Sequence, residues 1–115
     1  KARIYFVAEY WKEAFDCFKS AVIYFDKVRS DQGMAINLAG SMVCKQRMSE
    51  ISKKDLRDGL LTAIKFALAA ADDTGPAVRD VLTMVALAYE DSEEDLREII
   101  DSAERGRFPE QFALL

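Results

Sequence analysis

The fold of this chain is decided by the stretch Tyr10-Trp11-Lys12-Glu13-Ala14, which Phe18 follows after four residues and Ala21 after a further three. Such steps place small and aromatic side chains on one stripe of an α-helix. A second stretch, residues 35–39 (AINLA), opens another helix with the same mixture of small and large residues. The pattern is typical of closely packed helix pairs, so it predicts a scaffold that binds a partner and not a catalytic pocket.

Helices are predicted over almost the whole sequence. Only 2 Pro and 5 Gly occur, and no stretch alternates apolar and polar residues long enough to form a strand. Ser30 or Asp31, Ser52 and Ser92 are candidate caps, and Pro76 suits a first helical turn. The sequence therefore predicts an all-α fold of about five helices. They span residues 3–28 with a break near 9–12, 31–48, 52–71, 76–89 and 92–105.

The predicted connections are short, which makes consecutive helices antiparallel neighbours. The expected pairs are the first helix with the second, the third with the fourth, and the fifth with the apolar C-terminal tail, residues 112–115. A chain of 115 residues is about one domain, so residues 1–115 are interpreted as a single helical domain. Because the first residue is Lys1 and not Met, the alternative that the chain is a fragment of a longer helical-repeat protein stays open.

The arrangement over residues 8–45 resembles a tetratricopeptide-repeat array of helical hairpins. The residues that carry this resemblance are Ala14, Phe18 and Ala21 in the second helix of one repeat, then Asn37, Leu38 and Ala39 in the first helix of the next. The third predicted helix has Gly59, Ala63 and Phe66 at the corresponding steps. Phe66 replaces the expected small residue, and the distance from Ala14 to Gly59 exceeds the usual 34-residue period. An ordinary helical bundle is the alternative.

The resemblance implies a concave face lined by the first helix of each hairpin. Its exposed side chains here are expected to be Asn37, Ser41, Lys45, Asp80 and Met84. Among these, Asn37 is the strongest candidate, since an amide at this place in such repeats can bind a peptide backbone. Trp11 completes the set of expected partner-binding residues.

Catalytic and cofactor motifs are missing from the sequence. With no histidine, Ser-His-Asp and Cys-His catalysis and histidine-ligated metal sites are excluded. The glycines form no phosphate-binding loop. Asp91, Glu93 and Asp95 look like the start of a calcium loop, but Leu96 stands where such a loop needs glycine, so these residues are interpreted as acids at the start of a helix. We therefore expect no enzyme activity, no cofactor and no metal.

Composition limits the remaining partners. A net charge of −4 and a pI near 4.9 favour neither nucleic acid nor an anionic membrane surface. Charged residues interrupt every apolar segment before it reaches the length of a membrane span. Cys17 and Cys44 lie in helical segments without metal-ligand spacing, so reduced thiols are predicted and a cytoplasmic location with them.

Two patches are candidate binding surfaces. A basic cluster surrounds the connection near residue 50, and could receive an acidic peptide or simply form a solvated loop. An aromatic group crowds the first helix, and could form either core or interface. The basic residues are Lys45, Arg47, Lys53, Lys54 and Arg57, and the aromatic residues are Tyr5, Phe6, Tyr10, Trp11, Phe15, Tyr24 and Phe25.

These observations favour a non-enzymatic scaffold that binds a protein or peptide. Two alternatives remain. In one, the chain is a helical-bundle subunit whose role is homo-oligomerisation through the aromatic residues of the first helix. In the other, it is a structural helical domain of a larger enzyme or regulator.

Overall fold

The computed structural model of the chain describes residues 2–70 and 76–110, and in these residues all regular structure is helical. The predicted all-α class is therefore confirmed. None of the described helices combines the length and the apolar character that crossing a membrane requires. The helices are α1 (Ala2–Val7), α2 (Trp11–Lys27), α3 (Asp31–Arg47), α4 (Lys53–Ala69), α5 (Pro76–Ala88) and α6 (Glu93–Glu104).

The first predicted helix is divided into α1 and α2 at the place where the sequence indicated a break. Glu9 adopts a left-handed backbone conformation with φ of 62°, which ends α1. Arg29 and Ser49 have the same conformation after α2 and α3, with φ of 57° and 58°. These three residues are spaced 20 apart, so α1, α2 and α3 end in the same way.

Serine caps start three helices, as the sequence predicted. The Ser30, Ser52 and Ser92 hydroxyl oxygens accept hydrogen bonds from backbone N–H groups three residues further on, at 3.1–3.3 Å. Each bond satisfies an amide donor that has no partner within its own helix. The predicted end of the third helix at residue 71 lies outside the described residues.

Helix α3 is the centre of the molecule. It packs against α2, α4 and α5, and its residues from Leu38 to Cys44 are all buried. Side chains on the inner faces of α4 and α5 complete this core. They include Leu56, Leu60, Leu61, Ile64, Val81 and Val85. A helix surrounded in this way holds its neighbours in fixed positions, because close-packed interiors deform little.

The predicted hairpin contacts between α2 and α3 and between α4 and α5 are present. Helix α6 packs on α4 and buries Ile99 in the main core. Its predicted pairing with the tail falls on residues 112–115, which lie outside the described residues. Phe108, just before them, packs against the main core.

Helix α1 folds back on α2 through aromatic contacts. The Phe6 ring meets Trp11 and Phe18 edge to face, with centroid distances of 5.2 Å and 6.0 Å. Together with Ala14 and Cys44 these residues form a second, smaller core. Part of the predicted aromatic surface of the first helix is thus used inside the molecule.

Candidate functional site

A cleft of about 490 Å³ opens at one end of the helical array, where α3 and α5 end and α4 and α6 begin. One wall is formed by residues from the end of α3 and the start of α4: Gln46, Arg47, Lys53, Lys54, Leu56 and Arg57. The opposite wall is formed by residues from the end of α5 and the start of α6: Ala88, Tyr89, Asp91, Ser92, Asp95 and Glu98. Its volume lies within the range of roughly 300–1,000 Å³ that is usual for ligand sites.

Two side chains at the end of α3 fix the position of α5 beside the cleft. Gln46 Nε2 donates to the carbonyl oxygen of Ala88 at 2.6 Å, and Arg47 Nη2 donates to that of Leu87 at 3.1 Å. The last carbonyls of a helix have no intrahelical partner, so these bonds act as a cap supplied by a neighbouring helix. Arg47 also pairs with Glu90 at 3.2 Å.

Arg57 connects α4 to α6 across the cleft. Its Nε donates to Glu98 Oε1 at 3.1 Å, and its Nη2 donates to the hydroxyl of the buried Ser102 at 2.9 Å. The planar guanidinium suits this arrangement because its N–H groups point in fixed directions. The cleft is therefore bordered by bonds that cross between helices on both of its sides.

Tyr89 lies on the cleft wall in a partly buried position. Burial, with a smaller contribution from the negative charge of Asp95, raises the pKa of Tyr89 to about 12. The phenol consequently stays protonated at neutral pH and presents an aromatic ring with a neutral hydroxyl. Its neighbours Leu56 and Ala88 are buried, which gives the cleft an apolar floor.

The predicted basic cluster is only partly a basic surface. Four of its members line the cleft, whereas the ammonium nitrogen of Lys45 lies 5.7 Å from the centre of the Phe15 ring. Arg47 and Arg57 pair with carboxylates of α5–α6, and Lys54 Nζ lies 2.7 Å from Asp58 Oδ2. That hydrogen bond raises the pKa of Lys54. The cations are thus largely neutralised by carboxylates that lie far away in sequence or one turn along the helix.

The six predicted partner-binding residues do not line this cleft. Asn37 is half-buried, and its Nδ2 donates to the carbonyl oxygen of Gly33 in its own helix at 2.8 Å. Ser41 is fully buried, with its hydroxyl donating to Leu38 O, so the expectation that this side chain is exposed was wrong. The reason is that α3 is covered on several sides, whereas a hairpin array would leave one face open. The other predicted residues, Lys45, Asp80, Met84 and Trp11, are half-buried.

Sequence reasoning identified the basic wall of the cleft and missed its acidic wall. Asp91 and Asp95 were interpreted only as helix-terminal acids, and the interhelical bonds of Gln46 were not foreseen. Residues about 40 apart in sequence meet here, and no spacing rule within one helix predicts such contacts. Among the described residues, no group of three or more His, Cys, Asp or Glu side chains is arranged to hold a metal ion.

No protein-family model, curated protein or solved structure matches this chain. Its function is therefore inferred from the geometry of the cleft.

Proposed function

We propose that this chain is a non-enzymatic protein-interaction module and that the cleft between the ends of α3, α4, α5 and α6 binds a segment of a partner protein. The observation that carries the proposal is the cleft itself. It combines an apolar floor of Leu56, Ala88 and the Tyr89 ring with charged groups on opposite walls, so it offers a partner segment both apolar contact and charge complementarity. The bonds of Gln46, Arg47 and Arg57 hold the walls in place before a ligand arrives, which lowers the entropic cost of binding.

The proposed location is cytoplasmic. Cys17 and Cys44 are both free thiols in the structure, and reduced cysteines are typical of that compartment.

A random peptide library displayed on phage and selected against the full chain tests this function. The decisive comparison uses a charge swap at the cleft, Lys53→Glu with Asp91→Lys, which leaves the net charge unchanged. Both side chains are exposed, so the fold should tolerate the swap. The matched control is Lys19→Glu with Asp26→Lys on the exposed face of α2.

We expect enriched peptides whose affinity falls about tenfold for the cleft swap, because opposite charges become like charges, and stays unchanged for the control. Two results would reject the proposal. One is a selection that yields no binding peptide, and the other is a set of peptides that bind the wild-type chain and the cleft swap equally well.

Self-association is a second candidate function, favoured by a specific observation on α1. Ile4 and Val7 are 71% and 77% exposed, and Tyr10 beside them is 59% exposed. Large apolar side chains that lie together on a surface are a common feature of protein interfaces. Light scattering over a concentration series, with Trp11 fluorescence followed in the same samples, tests this candidate.

If α1 forms a dimer, the mass should double with concentration and Trp11 emission should change. Ile4→Lys with Val7→Glu should then restore the monomer, whereas Leu68→Lys with Leu82→Glu, at exposed apolar positions elsewhere, should not. A monomer at every concentration rules self-association out and leaves the cleft as the binding surface.

A further inference from the structure

The ion pairs around the cleft determine the charge that a ligand can meet there. Arg47, Lys54 and Arg57 each have a carboxylate within 3.2 Å. Within residues 2–70 and 76–110, Lys53, Asp91 and Asp95 belong to no ion pair. One cation and two carboxylates thus remain available, and both carboxylates belong to the α5–α6 wall.

A second acceptor belongs to the same cleft. Gln46 contributes its Nε2 to Ala88 O, whereas its Oε1 is buried and accepts no hydrogen bond from any described residue. If the side-chain amide of Gln46 were flipped, its Oε1 would face the carbonyl oxygen of Ala88, and two oxygen atoms without a hydrogen form no hydrogen bond. The bond to Ala88 therefore identifies Oε1 as the atom without a partner. A buried acceptor without a donor costs stability. The oxygen is closed to solvent, so an N–H group of a ligand would remove this cost only after a shift of the Gln46 side chain.

We propose that the cleft binds a basic side chain, lysine or arginine, of the partner protein. The ammonium or guanidinium group would pair with Asp91 and Asp95, and the aliphatic stem would lie on Leu56 and the Tyr89 ring. Basic side chains bury their methylene groups on apolar surfaces while the charged end meets an acceptor, and a cation also binds well over an aromatic face. Tyr89 remains neutral at physiological pH and keeps this ring available.

The alternative ligand is an acidic group bound by the basic wall. To pair with an arginine of this wall, such a group would have to displace Glu90 from Arg47 or Glu98 from Arg57, since both guanidinium groups are already paired. Lys53 is the cation that it would meet without displacing a carboxylate. A basic ligand meets two carboxylates, Asp91 and Asp95, without breaking an existing ion pair. The observations therefore favour the basic ligand.

This inference rests on the proposed function, and short peptides test it separately from the library selection. The probes are the acetylated tripeptide amides Gly-Lys-Gly, Gly-Arg-Gly and Gly-Glu-Gly, added to the full chain while its amide NMR signals are recorded. We expect the lysine and arginine peptides to shift signals of Tyr89, Asp91, Ser92 and Asp95 with millimolar affinity. The glutamate peptide should leave these signals unchanged.

Asp91→Asn with Asp95→Asn should weaken binding of the basic peptides about fivefold, as expected for the loss of charge interactions at one exposed and one half-buried carboxylate. The matched control is Asp26→Asn with Glu104→Gln, which removes the same charge from exposed positions elsewhere. Equal weakening in both variants would overturn the inference, because it would show nonspecific attraction to an acidic protein.

Two further outcomes separate this inference from the proposed function. If the glutamate peptide binds and Lys53→Gln abolishes that binding, the cleft recognises acidic groups, so the inference fails and the proposed function stands. If no tripeptide binds, the inference fails, and the library selection with the Lys53/Asp91 charge swap decides the proposed function independently.

Discussion

The Phe18 ring occupies the space that a β-carbon on Gly40 would need. An added β-carbon would lie 2.6 Å from two atoms of the ring, which is closer than packed carbon atoms approach. Phe18 is itself buried, at 5% exposure, so it has little room to move. The contact between α2 and α3 at this point therefore depends on the absence of a side chain at position 40.

Gly40→Ala should destabilise the fold although alanine is the better helix former. The clash with Phe18 costs about 1–3 kcal/mol, against a gain in helix propensity of about 1 kcal/mol. Because Phe18 is buried, the clash should lie at about 2–3 kcal/mol, which leaves a net loss of about 1–2 kcal/mol in the free energy of unfolding, measured by chemical denaturation followed by circular dichroism. Combining Gly40→Ala with Phe18→Leu should reduce the loss, because the smaller side chain relieves the clash.

Gly33 provides the comparison. A β-carbon there would meet the Phe25 ring, but Phe25 is only half-buried and can turn towards solvent. Gly33→Ala should thus cost less than Gly40→Ala. The reverse order, or a Gly40→Ala variant as stable as the wild type, would contradict the packing described here.

The central position of α3 could have been predicted from the sequence of this helix. Residues 32–44 carry no charge, and this run contains Ala35, Ala39 and Gly40, which allow close approach of neighbouring helices. An uncharged run with small residues on several sides indicates a helix with several neighbours. The helix boundaries, in contrast, followed from local chemistry that the sequence shows directly, such as the caps at Ser52 and Ser92.

The cleft was less predictable than the fold for a physical reason. Arg47 and Arg57 were recognised as basic, but the carboxylates of Glu90 and Glu98 that pair with them come from α5 and α6. Which helix ends meet depends on how α3 packs against its neighbours. The sequence therefore predicted a basic patch where the structure has a cleft of mixed charge.

Ser49→Gly should stabilise the protein. Ser49 has a left-handed backbone conformation, and its N–H donates to Gln46 O while the N–H of Glu50 donates to Lys45 O. A glycine tolerates this conformation better than a residue with a β-carbon, and this gain exceeds the entropy that glycine adds to the unfolded chain. We expect about 0.5–1 kcal/mol of added stability in thermal or chemical unfolding.

The control for this change is Ser20→Gly, at an exposed position inside α2. There the glycine has no conformational advantage and should destabilise by about 0.5 kcal/mol, the difference in helix propensity between serine and glycine. If both glycine variants lower the stability, the result would contradict the left-handed backbone conformation of Ser49.

Arg47→Lys should weaken the fold although it keeps the positive charge. Arg47 binds Leu87 O and Glu90 with one guanidinium nitrogen, in a partly buried position. A lysine ammonium is more strongly hydrated and lacks the planar geometry of arginine. We expect a loss of about 1 kcal/mol in the free energy of unfolding, as for one hydrogen bond to a carbonyl.

Arg97→Lys is the matched control, because among residues 2–70 and 76–110 the partner of Arg97 is Glu93 alone, on the exposed surface of α6. Its effect should stay below about 0.5 kcal/mol. Equal effects of the two substitutions would show that the cap on α5 contributes nothing.

The thiol of Cys44 should be inert in the folded protein and should make its stability depend on pH in the alkaline range. Burial raises the pKa of this thiol from its ordinary value near 9 to about 12. In a Cys17→Ser variant, a thiol-specific reagent at pH near 8 should react with Cys44 only after denaturation, since thiolate is the reactive form. Rapid reaction of the folded variant would contradict the burial of Cys44.

The sign of the pH effect follows from the same pKa difference. The folded protein holds the thiol proton more tightly than the unfolded chain does, so the stabilising contribution is complete below pH 9 and is lost as the pH rises towards 12. Tyr89, whose pKa is raised from its ordinary value near 10, adds a second decline that begins about one pH unit higher. Unfolding measured between pH 8 and 10 isolates the contribution of the cysteine. Cys44→Ala should lower stability at every pH by leaving a cavity, and it should remove the decline that starts near pH 9.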